Sequence, residues 1–418
     1  MNKYEDYKKV EIPWVRKIPT HWRIERNKNI FIKTKSVVGI QNKTTDLLSL
    51  TTKGIKVKSK DQIGGKQPSS YERYQLVNKE NLVLCLFDLD CSAVFSDVSK
   101  YNGMISPAYD VFKVEKQIPQ YYKYLFSYLF QDRVYKIYSK SVRYTITEEN
   151  FNTLLTLVPP LEEQQQIAKY LDWKIKMIDE IIHIEKQKIE KLETLKQKYL
   201  DNIFDSLNCR KYIRLAKLGN FSKGGGFSRE NLTNSINEAI LYGDIYTKYN
   251  YWLEKCVSTI DDKGFKDAKY IQEPAVLFTA SGETKEDIGK AVAFIGNHKI
   301  AVGGDVIIFK VKKDINVKYI SYFCNTSKIK YEKYIESSGE IIVHISSEAL
   351  KNIKIPFITI EEQEDIVSKI DSFIELQNKI ISSKNIIIEN YMKLKQSLIS
   401  EVVTGQIDVR YVKIPERK

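Results

Sequence analysis

One segment of the chain occurs twice without a gap, and this limits the possible folds more than any other feature. Pro159-Pro160-Leu161-Glu162-Glu163-Gln164 runs on to Phe204, and Thr359-Ile360-Glu361-Glu362-Gln363 runs on to Val403. Glu162 falls on Glu361, 199 positions later, and the same offset takes Ile167 to Ile366, Asp172 to Asp371 and Leu195-Lys196-Gln197 to Leu394-Lys395-Gln396. A repeat this long implies two similar halves, each a globular unit of about 150 residues followed by one long helix.

Both copies carry helix start signals. Pro159-Pro160 breaks the preceding extended run, and glutamates in the first turn suit the positive end of a helix dipole. Thr359 with Glu362 reads as a capping box. Apolar residues then recur at alternating steps of three and four: Leu171, Ile175, Ile178, Ile182, Ile189, Leu192 and Tyr199 in the first copy, and Ile370, Ile374, Ile381, Ile388, Tyr391 and Leu398 in the second. That spacing describes a coiled-coil seam on rods of roughly 65 Å, and each copy is the obvious partner for the other. Glu185 breaks the first stripe near its midpoint, and 199 positions on stands Lys384, of opposite charge. Such a pair would set an antiparallel register, although two solvated side chains would satisfy the pattern equally well.

Composition narrows what surrounds the rods. The 418 residues are 43% hydrophobic with a mean hydropathy of −0.36, which describes a globular chain long enough for two or three cores. A net charge of +13 and a pI near 9.1 favour a polyanionic partner, and 27 tyrosines among the lysines strengthen that expectation. The N-terminal stretch has no apolar core of the signal-peptide kind, and no run approaches the roughly 18 residues of a membrane span, so a cytoplasmic location is expected. Five scattered cysteines without a CxxC motif, and four dispersed histidines, predict reduced thiols and no metal site.

In the first globular unit, strand-like runs such as Asn29–Lys33, Leu82–Phe87 and Tyr109–Val114 are broken by Gly64-Gly65 and Asn102-Gly103. A helical period follows over Ile118–Tyr138, then an extended exit over Ile146–Val158. The second unit repeats this plan more loosely, with Phe221-Ser222-Lys223, then Asp305–Val311, a helical stretch over Val317–Tyr334 and an extended exit over Ile341–Ile355. The halves share a frame and differ in loops, whereas the helices stay in lockstep.

This arrangement, with the helix starts PPLEEQQQIAKYLD and IEEQEDIVSKID, resembles the specificity subunit of bacterial type I restriction-modification systems, and the resemblance covers nearly the whole chain. The stretches LYGDIYTKY (Leu241–Tyr249) and LFTASGETKEDIGK (Leu277–Lys290) look like parts of that family's target-recognition domains. The resemblance implies an α+β fold in which two pseudo-repeated recognition domains are separated by two long antiparallel helices forming a coiled coil. The corresponding boundaries are residues 1–158 and 207–356 for the recognition domains, 159–206 and 357–408 for the helices, and a basic tail at 409–418. It also implies a non-catalytic subunit without a cofactor that binds double-stranded DNA, one half-site per domain. Two methyltransferase subunits and endonuclease/translocase subunits would assemble around it, with no membrane partner.

By residue type, the phosphate-following candidates in the first unit are Lys53, Lys56, Lys58, Lys60, Lys66, Arg73 and Tyr74. Arg143 and Tyr144, before the exit, are better placed to reach base edges, because arginine can grip guanine with two bonds. In the second unit the equivalents are Lys223 beside Gly224-Gly225-Gly226, then Tyr246, Thr247, Lys248, Tyr249, Ser281, Thr284, Lys285 and Lys330.

Other chemistry finds little support. The triple glycine lacks the Gly-Lys-Ser/Thr of a phosphate cradle, and Glu283-Thr284-Lys285 with Asp261, Asp262 or Asp267 matches a nuclease metal site only loosely. No methyltransferase motif or cofactor-binding Gly-x-Gly is present. The rival readings are a coiled-coil adaptor without DNA readout and a stand-alone DNA-modifying enzyme.

Overall fold

The structure is a computed structural model that describes residues 2–60, 68–89, 96–139, 144–312 and 314–415. The duplicated segments fold as two long helices, Leu161–Asp205 of 45 residues and Ile360–Val403 of 44. Grouped by contact, the chain divides at mid-helix into one unit of Met1–Glu185 with Ile386–Lys418 and a second of Lys186–Asn385. Each unit therefore contains a β-rich globular part and half of each long helix.

Within each unit the two half-helices run antiparallel, as the seam requires. In the first unit Gln166, near the start of the first helix, donates to the carbonyls of Val409 and Val412 just beyond the end of the second. Further along, Asp179 meets Lys395 at 2.7 Å. Leu171, Ile175 and Ile178 share a core with Leu398, Ile399, Val402 and Val403. In the second unit Tyr199 lies flat on Phe373, with ring centroids 3.8 Å apart, and Leu200 and Phe204 join a core with Ile366, Val367 and Ile370. The seam residues read from the sequence are all buried or half-buried, with Leu171, Ile175, Ile178, Ile370, Ile388 and Leu398 among the buried ones. Thr359 and Glu362 form the expected capping box, and Gly405, at φ +71°, follows the end of the second helix.

The two main sheets of each globular part share one strand order, apart from an added edge strand, while the pairs Tyr7–Ile12 with Val15–Pro19 and Ser281–Gly282 with Val343–His344 each belong to one unit among the described residues. In the first, a four-stranded sheet runs in the order Phe31–Lys33, Asp110–Val114, Leu82–Leu84, Ser96–Val98. In the second the order is Gly219–Lys223, Val306–Val311, Ala275–Thr279, Ala291–Phe294, with Trp252–Leu253 added at the edge. The other layer is Gly54–Lys58, Leu47–Thr51, Gly103–Ile105, Gln75–Val77 in the first unit and Ser258–Ile260, Leu232–Ile240, Ile300–Val302, Lys269–Ile271 in the second. Even the one parallel pairing of that layer recurs, joining Met104 to Leu47 and Ala301 to Ala239. The duplication thus extends to strands whose sequences have drifted apart, because a short strand buried at every position, such as Leu82–Leu84 or Ala275–Thr279, needs only residues that suit a dry interior.

Two extended exits prove to be mixed. Glu148–Thr153 and Ser347–Asn352 are short helices, each followed by a strand, Leu155–Val158 or Lys354–Pro356. The Thr147 hydroxyl accepts from the Asn150 amide and the Ser346 hydroxyl from the Ala349 amide; these caps start a turn that apolar alternation alone does not reveal. The two helical stretches are also interrupted. The first ends at Gln131, and Arg133 at φ +53° leads into a 3-10 turn over Val134–Tyr138. The second divides into Val317–Cys324 and Ser327–Glu336, where the Asn325 side chain donates to the carbonyls of Ser321 and Ala291 and fixes the break.

Candidate nucleic-acid interface

The sequence places the same glutamine in both helix starts, and both copies do the same job. Gln164 is fully buried; its amide donates to the Pro159 carbonyl at 2.8 Å and its oxygen accepts from the Ile118 amide at 3.0 Å. Gln363 is equally covered, donates to the Ile358 carbonyl and accepts from the Asn316 amide, also at 3.0 Å. Each glutamine therefore pins the residues that open its unit's globular helix to the start of a rod. Two turns on, Asp172 accepts from the Tyr124 hydroxyl and Asp371 from the Tyr322 hydroxyl, and Asp371 also meets Lys318 at 2.9 Å. Burial first, and the carboxylate second, holds both phenols far above the usual tyrosine range, so they remain donors.

One repeated position has diverged. Glu163 is buried and accepts from the Tyr4 hydroxyl and from Trp22 Nε1 at 3.0 Å, with His21 Nε2 at 2.8 Å. Its counterpart Glu362 is exposed and only caps its helix.

The basic candidates lie on the globular parts, and the structure separates them. Lys53, Lys56 and Lys58 are exposed on one hairpin, Leu47–Thr51 with Gly54–Lys58, and Lys56 and Lys58 share a face of its edge strand. Lys60 donates to the carbonyls of Asn42 and Lys43, both at 2.9 Å. Arg73 is exposed next to the opposite edge strand of that sheet, Gln75–Val77, while Tyr74 is half-buried against Tyr71. Tyr144, at φ +46°, receives the Lys136 ammonium on its ring face at 4.3 Å. Lys66 and Arg143 lie outside the described residues.

In the second unit Lys223 and Thr284 are exposed, and Lys285 sits over the Tyr334 ring. The remaining candidates are engaged with their own chain. Thr247 donates to the Gly243 carbonyl, Lys248 pairs with Asp244 at 2.8 Å, and the Tyr249 hydroxyl accepts from the Val257 amide at 2.6 Å. The Tyr246 hydroxyl donates to the Ser281 carbonyl and accepts from Thr279; burial pushes both Tyr246 and Tyr249 up to about 12. Lys330 donates to Gln197 on the long helix at 3.1 Å. Tyr246 and Lys330 line one cavity with Lys290 and Lys333, two lysines that sequence reasoning did not select. Lys290 closes the quoted Leu277–Lys290 segment, which was the only signal for it; nothing in the pattern around Lys333 marks it.

Three catalytic arrangements fail on geometry. Ser281 Oγ touches both His344 Nδ1 and Asp305, yet the hydroxyl is buried and the carboxylate meets the serine instead of orienting the imidazole. The amides of Gly224 and Gly225 are spent on the carbonyls of Val306 and Val302, so the triple glycine offers no anion nest. No group of three or more metal-ligating side chains converges among the described residues. No helix among them is long and apolar enough to cross a membrane.

Comparison with known proteins agrees with this architecture. The family described as type I restriction modification DNA specificity domain matches residues 74–194 and 198–390. The putative type I restriction enzyme MjaX specificity subunit of Methanocaldococcus jannaschii is 24% identical over 322 residues, covering 70% of this chain and 69% of that protein. The putative specificity subunit S.HindORF215P of Haemophilus influenzae is 23% identical over 281 residues, 65% of this chain and 69% of that one. Among solved structures, a chain from work on complex assembly and conformational transition of the type I R-M system superposes with a TM-score of 0.71 at 13% identity, covering 93% of this chain and 99% of its own. The HsdS subunit from Thermoanaerobacter tengcongensis gives 0.51 at 14% identity, covering 93% and 98%. At these identities the structures share the fold.

Proposed function

The chain belongs to the type I restriction-modification DNA specificity family and is a specificity subunit of that kind, and from this premise we propose that it reads a bipartite DNA target, one half-site per globular part. The observation that carries the reading is the repeated clamp: Gln164 with Asp172, and Gln363 with Asp371, fasten two unlike β-rich parts to two like helices by the same bonds. A scaffold without readout has no need for two surfaces that diverge on a conserved mount. Joining two weak readers in one chain makes the second encounter effectively intramolecular, so affinity arises from the pair.

In this reading Lys53, Lys56, Lys58, Arg73, Lys223, Thr284 and Lys285, whose side chains reach solvent, contact the duplex first, together with Lys66, Arg143 and Tyr144. Lys60, Tyr246, Thr247, Lys248, Tyr249, Ser281 and Lys330, already bonded within the chain, shape the surfaces around them. Methyltransferase subunits and endonuclease/translocase subunits assemble on this frame and supply the chemistry. Glu185, buried on the first helix, and Lys384, half-buried on the second, are proposed as the register pair of the seam. The test is fluorescence anisotropy of a labelled duplex carrying the cognate site, with the chain alone and with its methyltransferase. Salt-sensitive binding that tightens with the methyltransferase is expected; no binding in either state would favour the adaptor.

A further inference from the structure

The second unit holds a cavity of about 240 Å³ between its globular part and the long-helix segment around Lys196 and Gln197. Three ammonium groups converge on it, and each of their bonded partners is neutral. Lys290 donates to the carbonyls of Tyr249 at 2.7 Å and Tyr246 at 3.3 Å, Lys333 to the carbonyl of Gly289 at 2.5 Å, and Lys330 to the side-chain oxygen of Gln197 at 3.1 Å. Lys333 is only 2% exposed. The fourth lysine of the wall, Lys196, is already neutralised by Glu193. Asp287 is near enough to influence both Lys290 and Lys333 but forms no ion pair with either.

Burying a charge without an opposite charge in contact is expensive; Lys333 is buried, Lys290 and Lys330 are half-buried, and the shared cavity sets their three like charges together. Burial, reinforced by the field of Lys330, lowers both Lys290 and Lys333 to about 8. Taken with Asp287, the three lysines leave two positive charges in excess. An ammonium has three N–H donors, so each of the three retains donors beyond those its neighbours accept. A ligand with about two negative charges and several strong acceptor oxygens would satisfy both needs.

We propose that this cavity binds a phosphoryl oxyanion, inorganic phosphate or the terminal phosphate of a small nucleotide, held by Lys290, Lys330 and Lys333. The site is unlike the exposed lysines of the DNA reading: a duplex phosphate stays flush with its helix and does not descend to an ammonium as covered as Lys333. Bound there, the anion bridges lysines of the globular part that stand beside Gln197, stiffening the mount of the second reader. The site is independent of the half-site reading, because it is filled without DNA.

The experiment is calorimetric and thermal-shift titration of the full chain with sodium phosphate, pyrophosphate and adenosine monophosphate, against sodium chloride at equal ionic strength. Saturable one-to-one binding is expected, weakened about tenfold or more in Lys290→Met and in Lys330→Met, each shown to be folded by circular dichroism. Lys328→Met, on the same helix but exposed, should leave it unchanged and so control for net charge. Tighter binding of the nucleotide than of phosphate would identify a nucleotide as the source, and the reverse a free anion; either supports the site. No saturable binding to the folded wild-type chain, or equal binding by both cavity variants, would overturn it. So would displacement of phosphate by a duplex lacking terminal phosphates, which would assign these lysines to the DNA path.

Discussion

Asp172 and Asp371 stand 199 positions apart at one place in the repeat, and each accepts a hydrogen bond from a tyrosine hydroxyl of its own globular part, Tyr124 or Tyr322. The bond joins the part of the chain that has diverged to the part that has not, which explains why a mount can be kept while the surface it carries changes. Tyr124→Phe and Tyr322→Phe each remove a bond to a charged acceptor, with an expected loss of about 1.5–3 kcal/mol. Urea denaturation of the single variants and the double variant should show additive losses, because the two bonds belong to separate units.

The diverged position gives an asymmetric outcome. Glu163→Ala strands the Tyr4 hydroxyl and the Trp22 indole in the core, and should cost about 2–5 kcal/mol. Glu362→Ala removes only half of an exposed capping box and should cost about 1 kcal/mol. Equal losses in chemical denaturation would contradict the structural difference.

The pairing of the half-helices can be measured in the second unit. A double-mutant cycle on Tyr199→Ala and Phe373→Ala should report a coupling of about 0.5–1.5 kcal/mol for the stacked rings. Zero coupling would mean that the two rings do not meet in solution.

Much of this frame was legible in the sequence, because a seam repeated every three or four residues over rods this long has only one economical fold. The repeat sets Gln164 and Gln363 at identical distances from their helix starts, but it does not mark them as clamps, because their partners Ile118 and Asn316 are 46 and 47 positions away. The globular parts were harder to read. Their strands are two to nine residues long, so Leu82–Leu84 and Ala275–Thr279 occupy equivalent places with little sequence in common. The short helices at Glu148 and Ser347 were hidden because a single capping hydroxyl decides them. Of the cavity lysines Lys330 stood among the basic candidates, whereas Lys290 and Lys333 were least visible, since they come from a loop and a helix that only the tertiary fold brings together.

The pH dependence should have two limbs of opposite sign. Lys290 and Lys333 are held near 8 in the folded chain and near 10.4 when unfolded, so between those values the unfolded chain binds more protons and stability rises with pH. Above about pH 10 the sign reverses. Tyr121, Tyr124, Tyr319 and Tyr322, all raised chiefly by burial, keep their protons when folded and lose them when unfolded, and stability falls. Equilibrium unfolding from pH 7 to 11 should show both limbs, and Lys333→Met should flatten the first without altering the second.

If the exposed hairpin lysines meet phosphates, replacing Lys53, Lys56 and Lys58 by alanine should weaken binding to all sequences alike. The slope of log affinity against log salt should fall by about 0.9 for each phosphate no longer neutralised. An unchanged slope, measured by anisotropy with the methyltransferase present, would place the duplex elsewhere.

Two unlike readers on one repeated mount are proposed to specify two halves of a single target. Single-molecule sequencing of adenine methylation tests it most directly, in cells that carry the chain, lack it, or carry a version whose residues 207–356 come from a relative. The expected result is a split motif that vanishes without the chain, and in the chimaera a motif that keeps one half and changes the other. A motif that survives deletion of the chain, or one whose two halves change together in the chimaera, would contradict it.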